Sequence, residues 1–352
     1  MSPSRRRGAR WVAARCLLVG GSLLGALAVA EGVTRWRLPH AAPRSARVTR
    51  FWQYHPRYGW SHRPNVMSHF ESFGFSSRVS INARGFRGPL ASYERPAKRQ
   101  RALVLGDSYV WGFGVSDHEV FTAVLERMVP GLEAINLGVS GYSTDQELLL
   151  YTDEGYKYDV DWVVLVVASN DFPSNLRGTE YLIYPKPFFS LDQGALRLMN
   201  QPVPPTPAVK RLAGQLAMRS YFLTLTSRLL EHVRISRLLA RPGSRQDGAT
   251  EAAFPRTAAD HLTVRLLLEM KNAVQKQSGA KLLVVLVDGF GKDVERVAGF
   301  LEANGVNCFL LDRHLDYRNP SLHLPDGFHW SPKGHEVVAR ALAPRLQDKS
   351  QK

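Results

Sequence analysis

The stretch RALVLGDSYVWGFG, residues 101–114, indicates the fold of the chain more clearly than any other part of it. Residues 102–105 form a short apolar run that ends abruptly at Gly106. A short apolar run cut off by glycine is typical of a buried parallel strand that leads into a turn. In an open α/β sheet, ligands bind at the carboxyl ends of the strands. We therefore expect Ser108, just beyond the glycine, to lie at a functional edge of the sheet.

From residue 101 onward, apolar runs alternate with helical patterns. The expected strands lie at residues 102–106, 133–137, 160–168, 281–287 and 307–311. The expected helices lie near residues 117–129, 144–156, 258–278, 291–304 and 333–346. Such alternation predicts a parallel sheet with helices on both faces. The run DWVVLVVAS, residues 161–169, is apolar on both faces, as expected of a central parallel strand.

The charge of the chain is concentrated near its start. The 352 residues carry a formal net charge of +15 and are 44% hydrophobic. Residues 1–50 contribute a net +9 and residues 51–101 a net +7, so the remainder is close to neutral. A nucleic-acid-binding domain would need a basic face on its folded part, so we expect no nucleic-acid partner. The basic excess of the N-terminal arm instead favours a membrane surface.

Residues 1–37 form a basic start followed by an apolar stretch, and two interpretations of it remain open. Five arginines precede the apolar residues 16–30. A signal peptide would have its small-residue cleavage site at Ala28-Val29-Ala30. An uncleaved anchor needs about 17–25 apolar residues, which residues 11–36 supply with a tryptophan near each end. We favour the anchor, and both interpretations place the catalytic part outside the cytoplasm.

Residues 38–100 predict a linker and a small β-rich lead-in. Residues 38–60 are rich in proline, arginine and aromatic residues and are interpreted as a linker. Residues 61–100 contain alternating segments, which favour strands. Within them, residues 82–88 are turn-like, and we expect Arg84 and Arg87 to lie on a solvated surface turn rather than to bind an anionic group.

Residues 172–257 interrupt the strand–helix alternation of residues 101–346. We expect a hairpin within residues 181–207, with its turn at Asp192-Gln193-Gly194, then a helical segment over residues 210–240 and a loop over residues 243–250. An insertion of this length at the carboxyl edge of a sheet is often a cap over a binding site.

Four short motifs follow the predicted strands or precede the last helix. They are Gly106-Asp107-Ser108, the glycine-rich residues 136–141, Ser169-Asn170-Asp171, and Asp326-Gly327-Phe328-His329. Singly each is weak, because short motifs arise often by chance. Because they occur in this order, and each lies at a predicted strand end or turn, the four motifs together are a strong indication of a functional site.

This ordered set resembles the SGNH (GDSL-type) hydrolase family of esterases and lipases. Ser108 matches the nucleophile motif, Gly141 the glycine of the second motif in preference to Gly138, and Asn170 the asparagine of the third. The last motif is matched by Asp326 and His329. The resemblance implies a three-layer α/β/α fold with a flavodoxin-like, mostly parallel five-stranded sheet. The insertion departs from the family pattern and leaves the substrate open.

The resemblance assigns chemistry to these residues. His329 would accept the proton of Ser108 and later return it, and Asp326 would hold the imidazole tautomer. The backbone N–H groups of Ser108 and Gly141 and the amide of Asn170 would bind the oxyanion. We expect Asp107 to bond loop N–H groups. No metal or cofactor is needed, and the two cysteines carry no metal signature.

Other roles for nearby residues remain open at this stage. His323 and His335 are rival bases, although His335 is expected to bond a neighbour inside the last helix. Tyr109 and Trp111 are candidates for an acyl pocket, with ordinary packing as the alternative.

The sequence thus predicts a membrane-tethered or exported serine esterase. Its expected partners are an ester substrate, such as an acylated envelope glycan or a lipid, and a membrane held by the N-terminal segment. The alternatives are an acyltransferase that uses the same serine and a non-catalytic glycan-binding envelope protein.

Overall fold

The computed structural model describes residues 3–37, 51–72, 75–181, 183–217, 220–223, 225–226, 257–287 and 294–347. Its strands are β1 (Trp52–His55), β2 (Gly59–His62), β3 (Val66–Ser72), β4 (Phe75–Ile81), β5 (Gln100–Leu105), β6 (Leu132–Asn136), β7 (Trp162–Ala168), β8 (Thr179–Glu180), β9 (Tyr184–Pro185), β10 (Phe188–Asp192), β11 (Ala195–Met199), β12 (Lys281–Val287) and β13 (Asn307–Leu310). Its α-helices are α1 (Pro3–Arg37), α2 (Ser108–Trp111), α3 (Phe121–Met128), α4 (Thr144–Asp153), α5 (Asp171–Asn175), α6 (Ala208–Ala217), α7 (Ala258–Gln277), α8 (Val294–Ala303) and α9 (Pro332–Leu346).

The central sheet has five parallel strands in the order β13-β12-β7-β5-β6. Each strand expected from the sequence is present, and its ends differ from the expected ones by at most two residues. The carboxyl ends of β5, β6 and β7 meet at one edge, which is where an open α/β sheet places its ligands. The predicted parallel sheet is therefore confirmed.

The core has two layers, one on each face of the sheet. Along β5, Leu103 and Leu105 join the layer formed with α4, α7 and α8. Ala102 and Val104 join the opposite layer, formed with α3 and α9. Strands covered on both faces must be apolar throughout, which explains their uninterrupted hydrophobic sequences. The three-layer α/β/α arrangement follows directly from this burial.

The helices that flank the site have clear start signals. Ser331 caps α9 by accepting from Gly334 N at 3.2 Å, and Pro332 occupies its first position. Thr257 begins α7 with a capping box, in which its hydroxyl accepts from Asp260 N at 3.1 Å. These local signals explain why the predicted helix starts lie close to the observed ones.

The lead-in is more structured than the sequence indicates. From residue 51 onward the chain is ordered into two antiparallel hairpins, β1–β2 and β3–β4, so the linker expected over residues 38–60 is wrong for residues 51–60. Phe51 and Phe70 pack on Trp111 of α2, with ring centroids 6.3 and 5.1 Å away. The hairpins thereby support the turn that carries Ser108.

The insertion contains the expected hairpin, formed by β10 and β11 around the turn Asp192-Gln193-Gly194. A second, smaller hairpin of β8 and β9 precedes it and was not expected. The helix expected over residues 210–240 begins at Ala208. Most of that segment, and the loop expected over residues 243–250, lie outside the described residues.

Helix α1 contains a segment, Leu17–Arg37, that is long and apolar enough to cross a membrane. It has 21 residues, its most apolar 18-residue window has a mean hydropathy of 1.7, and 6% of that window is buried. A signal sequence would meet the same criteria. Near its end, Glu31 accepts hydrogen bonds from Ser220 Oγ at 2.7 Å and from Tyr221 N and Phe222 N at 3.0 Å, which joins this helix to the insertion.

Candidate active site

Ser108 is the first residue of α2, directly beyond the carboxyl end of β5. Asp107 caps this helix by accepting from Tyr109 N at 3.0 Å, which confirms the structural role expected for its carboxylate. Gly112 ends the helix in the left-handed conformation, with φ 81°. The short helix presents the buried Ser108 at the edge of the sheet that was expected to carry function.

The structure brings Ser108, His329 and Asp326 together in one hydrogen-bonded chain. Ser108 Oγ lies 2.9 Å from His329 Nε2, although the two residues are 221 positions apart. His329 Nδ1 lies 2.6 Å from Asp326 Oδ2. If Nδ1 carries the proton and its N–H donates a hydrogen bond to the carboxylate, Nε2 is left as an acceptor for the serine hydroxyl. The arrangement can therefore remove a proton from Ser108.

Asp326 is held in place as a carboxylate. Its Oδ1 accepts from His329 N at 3.1 Å and from Phe328 N at 3.2 Å. Burial alone would raise the pKa of Asp326, but the hydrogen bonds and charge of His329 and the two backbone N–H groups outweigh it, so the pKa lies below its usual value. Asp326 therefore remains charged at neutral pH and can stabilise a protonated imidazole.

Aromatic side chains surround the imidazole of His329. Phe113 stacks on it with ring centroids 4.1 Å apart, and Phe328 lies 4.3 Å away. Tyr109 is buried, and its hydroxyl donates to Phe328 O at 3.3 Å. Trp111 is fully buried against the lead-in aromatics, so packing accounts for it. These contacts fix the ring orientation and limit the access of water.

Two glycines beyond β6 differ in what their backbone can do. A Cβ at Gly138 would lie 2.4 Å from Trp111 N, and the N–H of Gly138 already donates to Asn136 Oδ1 at 2.9 Å. Gly138 is therefore needed for close packing on α2. Gly141 has φ 84°, and no acceptor for its N–H is found within the described part of the chain. Of the two, Gly141 is the better placed to donate to a ligand.

Asn170 lies exposed at the same edge of the sheet, directly after β7. Its Nδ2 is 3.5 Å from Asp107 Oδ2, which places the amide beside the loop that carries Ser108. The residue that follows it, Asp171, is fully buried and accepts from Ala168 N at 3.0 Å. Asn170 is thus carried on a turn anchored by a buried neighbour.

The two rival histidines have other contacts. His335 Nδ1 accepts from Phe121 N at 3.3 Å, as expected for a bond to a neighbour, and burial lowers the pKa of His335 to about 3. His323 Nδ1 lies 3.3 Å from Phe328 O, and His323 pairs with Trp330 across a short bridge. Neither ring is within hydrogen-bonding distance of Ser108 among these contacts.

Arg87 is a residue whose importance the sequence did not indicate. It is 3% exposed, so the solvated surface turn expected for it is wrong. Its guanidinium donates to Trp111 O at 2.7 Å and to Gly112 O and Val115 O at 2.6 Å, and it pairs with Asp117 at 2.9 Å. Arg87 therefore satisfies the carbonyl groups at the end of the Ser108 helix. The one feature of the sequence that could have indicated this role is the position of Arg87 in a turn that contains both arginine and glycine.

Several carboxyl groups are buried behind the turn that carries Ser108. Asp145 forms a fully buried ion pair with Lys186 of the insertion. Glu147 has no hydrogen-bond partner for either carboxyl oxygen among the described residues. Burial raises the pKa of Glu147 well above its usual range, and the charges of Asp171, Asp107 and Asp145 raise it further. Folding therefore favours the protonated form of Glu147.

The raised pKa of Glu147 leads to a prediction for the pH dependence of the free energy of unfolding. A carboxyl whose pKa is raised by folding contributes its full stability below the ordinary value of 4.5, and loses it as the pH rises toward the folded-state pKa. Glu147→Gln mimics the protonated form, so urea unfolding from pH 5 to pH 8 should show a flatter stability curve than that of the unmodified chain. We expect the difference at pH 8 to be on the order of 1–3 kcal/mol. Exposed Glu269→Gln is the control, and identical curves for both variants would contradict the prediction.

No group of three or more His, Cys, Asp or Glu side chains suited to a metal ion occurs among the residues that the structure describes.

Comparison with known proteins gives one match to a family model. The model of the GDSL-like Lipase/Acylhydrolase family matches residues 104–337. This range contains β5, the Ser108 turn, the insertion and the Asp326–His329 turn. No curated protein matches the chain.

Several solved structures are similar to the chain at low identity. TesA is 13% identical over 70% of this chain and 98% of its own, with a TM-score of 0.42. The psychrotrophic esterase EstA from Pseudoalteromonas sp. is 12% identical over 71% of this chain and 100% of its own, with a TM-score of 0.39. A member of the lipolytic protein G-D-S-L family from Veillonella parvula is 9% identical over 70% of this chain and 97% of its own, with a TM-score of 0.39.

Proposed function

We propose that this chain, which belongs to the GDSL-like lipase/acylhydrolase family, is a serine esterase that forms an acyl-enzyme on Ser108. The observation that carries the proposal is the distance of 2.9 Å between Ser108 Oγ and His329 Nε2, with Asp326 on the other ring nitrogen. A serine hydroxyl becomes a useful nucleophile only when a base takes its proton. The positions of His329 and Asp326 support their roles as the base and as the group that orients it.

In the proposed reaction, Ser108 Oγ attacks the ester carbonyl while its proton passes to His329 Nε2. The tetrahedral intermediate collapses, the C–O bond to the alcohol breaks, and the alcohol leaves with the proton from His329. Water then attacks the acyl-enzyme with His329 again as the base, which releases the carboxylic acid and restores Ser108. Asp326 stabilises the imidazolium in both halves of the reaction.

The oxyanion that forms in each half needs donors at the same edge of the sheet. We assign this role to the backbone N–H groups of Ser108 and Gly141 and to the side-chain amide of Asn170. The N–H of Gly141 has no acceptor among the described residues, and Asn170 lies beside Asp107; both observations support the assignment. Loss of one such donor typically costs about 2.7–4 kcal/mol of transition-state stabilisation.

For the domain organisation, we propose an N-terminal membrane segment at residues 1–37, a linker and lead-in at residues 38–100, and a hydrolase domain at residues 101–346 with a cap at residues 172–257. The arginine-rich start of α1 favours an orientation with the hydrolase domain outside the cytoplasm. In that location, an acetyl ester on an envelope glycan is the substrate that we propose. The N-terminal residue of the purified protein distinguishes an anchor from a cleaved signal peptide.

The test is labelling of the folded full-length chain with a fluorophosphonate, which reacts with activated serines. We expect one adduct, located on the Ser108 peptide by mass spectrometry, and a loss of p-nitrophenyl acetate hydrolysis in proportion to labelling. A folded chain that takes no label would instead support a non-catalytic glycan-binding protein. Transfer of the acetyl group from an acetylated oligosaccharide to an added acceptor glycan, in place of release of free acetate, would support an acyltransferase.

A further inference from the structure

Two aromatic side chains from outside the central sheet lie beside Gly141, and a third lies next to both of them. Trp60 comes from β2, Tyr181 lies between β8 and β9, and Tyr184 begins β9. A Cβ built on Gly141 would lie 3.1 Å from the Tyr181 ring, 3.2 Å from its hydroxyl and 3.4 Å from the Trp60 ring. The Tyr184 ring centroid is 6.3 Å from that of Trp60 and 6.5 Å from that of Tyr181. We call these three residues the aromatic platform.

The platform is fixed to the backbone that it covers. Trp60 Nε1 donates to Ser140 O at 3.2 Å, and Tyr142 Oη donates to Trp60 O at 2.6 Å. These two bonds hold Trp60 to the residues on either side of Gly141. The position of the platform relative to the proposed oxyanion donor is therefore set before any ligand binds.

The tyrosine side of the platform is attached just as firmly. Lys186, which follows β9, donates to Asp145 on α4 in a fully buried ion pair, and its backbone N donates to Gly178 O at 3.0 Å. Helix α4 begins only three residues after Gly141. A buried charge pair of this kind fixes the β8–β9 hairpin over the site, because separating the charges would leave one of them uncompensated.

The platform also keeps aromatic surface in contact with solvent. Tyr181 and Tyr184 are 38% and 37% exposed, while most other aromatic rings near the site are buried. Tyr181 has φ 47°, a conformation that is uncommon for a bulky residue. Part of each tyrosine ring, beside the proposed oxyanion donor, is therefore accessible to a ligand.

We propose that the aromatic platform binds a pyranose ring of the substrate, so that an acyl group on that sugar reaches Ser108. The inference rests on the proposed esterase function, because Gly141 orients the ester only if its N–H binds the oxyanion. Tyrosine and tryptophan present an apolar face with a polar edge. A pyranose ring has the matching surface, an apolar C–H face with hydroxyl groups around its rim. An aliphatic acyl chain would favour an enclosed site without exposed phenol groups.

The experiment compares three substrates on the full-length chain in detergent: an O-acetylated cello-oligosaccharide, p-nitrophenyl acetate and p-nitrophenyl octanoate. We expect Tyr184→Ala to lower kcat/KM for the oligosaccharide at least about tenfold more than for p-nitrophenyl acetate, mainly through KM. Tyr156→Ala, at a tyrosine that is 40% exposed before the start of β7, is the matched control and should leave the ratio of the two rates unchanged.

Equal losses on all three substrates, or no loss, would overturn the proposal. A selective loss on the octanoate would also overturn it, because the platform would then bind the acyl chain. Calorimetric titration with the unacetylated oligosaccharide gives a readout without turnover, and Tyr184→Ala should weaken this binding. If the unmodified chain hydrolyses no ester but binds the oligosaccharide through Tyr184, the result would contradict the proposed esterase function and support sugar binding by the aromatic platform.

Discussion

Ser108→Ala is expected to lower kcat/KM for p-nitrophenyl acetate by on the order of 10⁴-fold or more, because the variant has no nucleophile to acylate. The hydroxyl of Ser108 bonds His329 Nε2, and the remainder of the residue contributes its backbone to α2. Alanine is a good helix former and fits the same space, so the fold should survive. The remaining rate would come from the oxyanion donors and from binding alone.

Ser76→Ala is the matched control for this change. Ser76 is exposed on β4, where it is paired with Glu71 of β3. Its substitution should leave the rate and the thermal midpoint within error of the unmodified chain. A folded Ser108→Ala variant, judged by circular dichroism, that still hydrolyses the ester at the original rate would refute acyl chemistry at this serine.

Asp326→Asn is expected to lower kcat by about 10⁴-fold while the fold remains. Asp326 Oδ2 lies 2.6 Å from His329 Nδ1 and accepts a hydrogen bond from its N–H, so Nε2 is free to take the proton of Ser108. An asparagine amide can donate to Nδ1 instead, which favours the tautomer that cannot act as a base. The loss should therefore appear in kcat at neutral pH, with little change in KM.

The stability of the same variant gives a second readout. Because folding lowers the pKa of Asp326, its carboxylate stabilises the fold above its ordinary pKa, and this contribution is lost as the pH falls through the lowered value. Asp326→Asn should therefore be destabilised at pH 7 but approach the unmodified chain in acid. Asp316→Asn, in an exposed loop nearby, is the control. A variant with an unchanged rate would show that His329 needs no carboxylate partner.

Features encoded by local sequence were predictable. Buried parallel strands such as β7 and β12 are apolar throughout, because helices cover both faces. The capping residues Ser331 and Thr257 mark helix starts within a few positions. The four motifs lie at strand ends or in the turn before α9, and their order predicted that Ser108 and His329 lie close together. Ser108 and His329 do meet, despite their separation along the chain.

Features that depend on distant partners were not predictable. From the sequence, Arg87 is expected to be a surface residue in a turn. It is buried because the carbonyl groups at the end of α2, which need donors, accept hydrogen bonds from its guanidinium. Lys186 and Asp145 are ordinary charged residues until the insertion folds back onto α4. Trp60 lies in a stretch that looks like a linker, and its bond to Ser140 crosses 80 positions. Tertiary contacts, and not propensity, decide each of these roles.

The central claim is that Ser108 and His329 act as one catalytic unit, and the most direct test is kcat/KM of the double variant Ser108→Ala/His329→Ala. Residues that act as a unit give losses far from additive. We predict that the double variant is no slower than the slower of the two single variants. Losses that multiply, each residue contributing its own factor, would contradict the account.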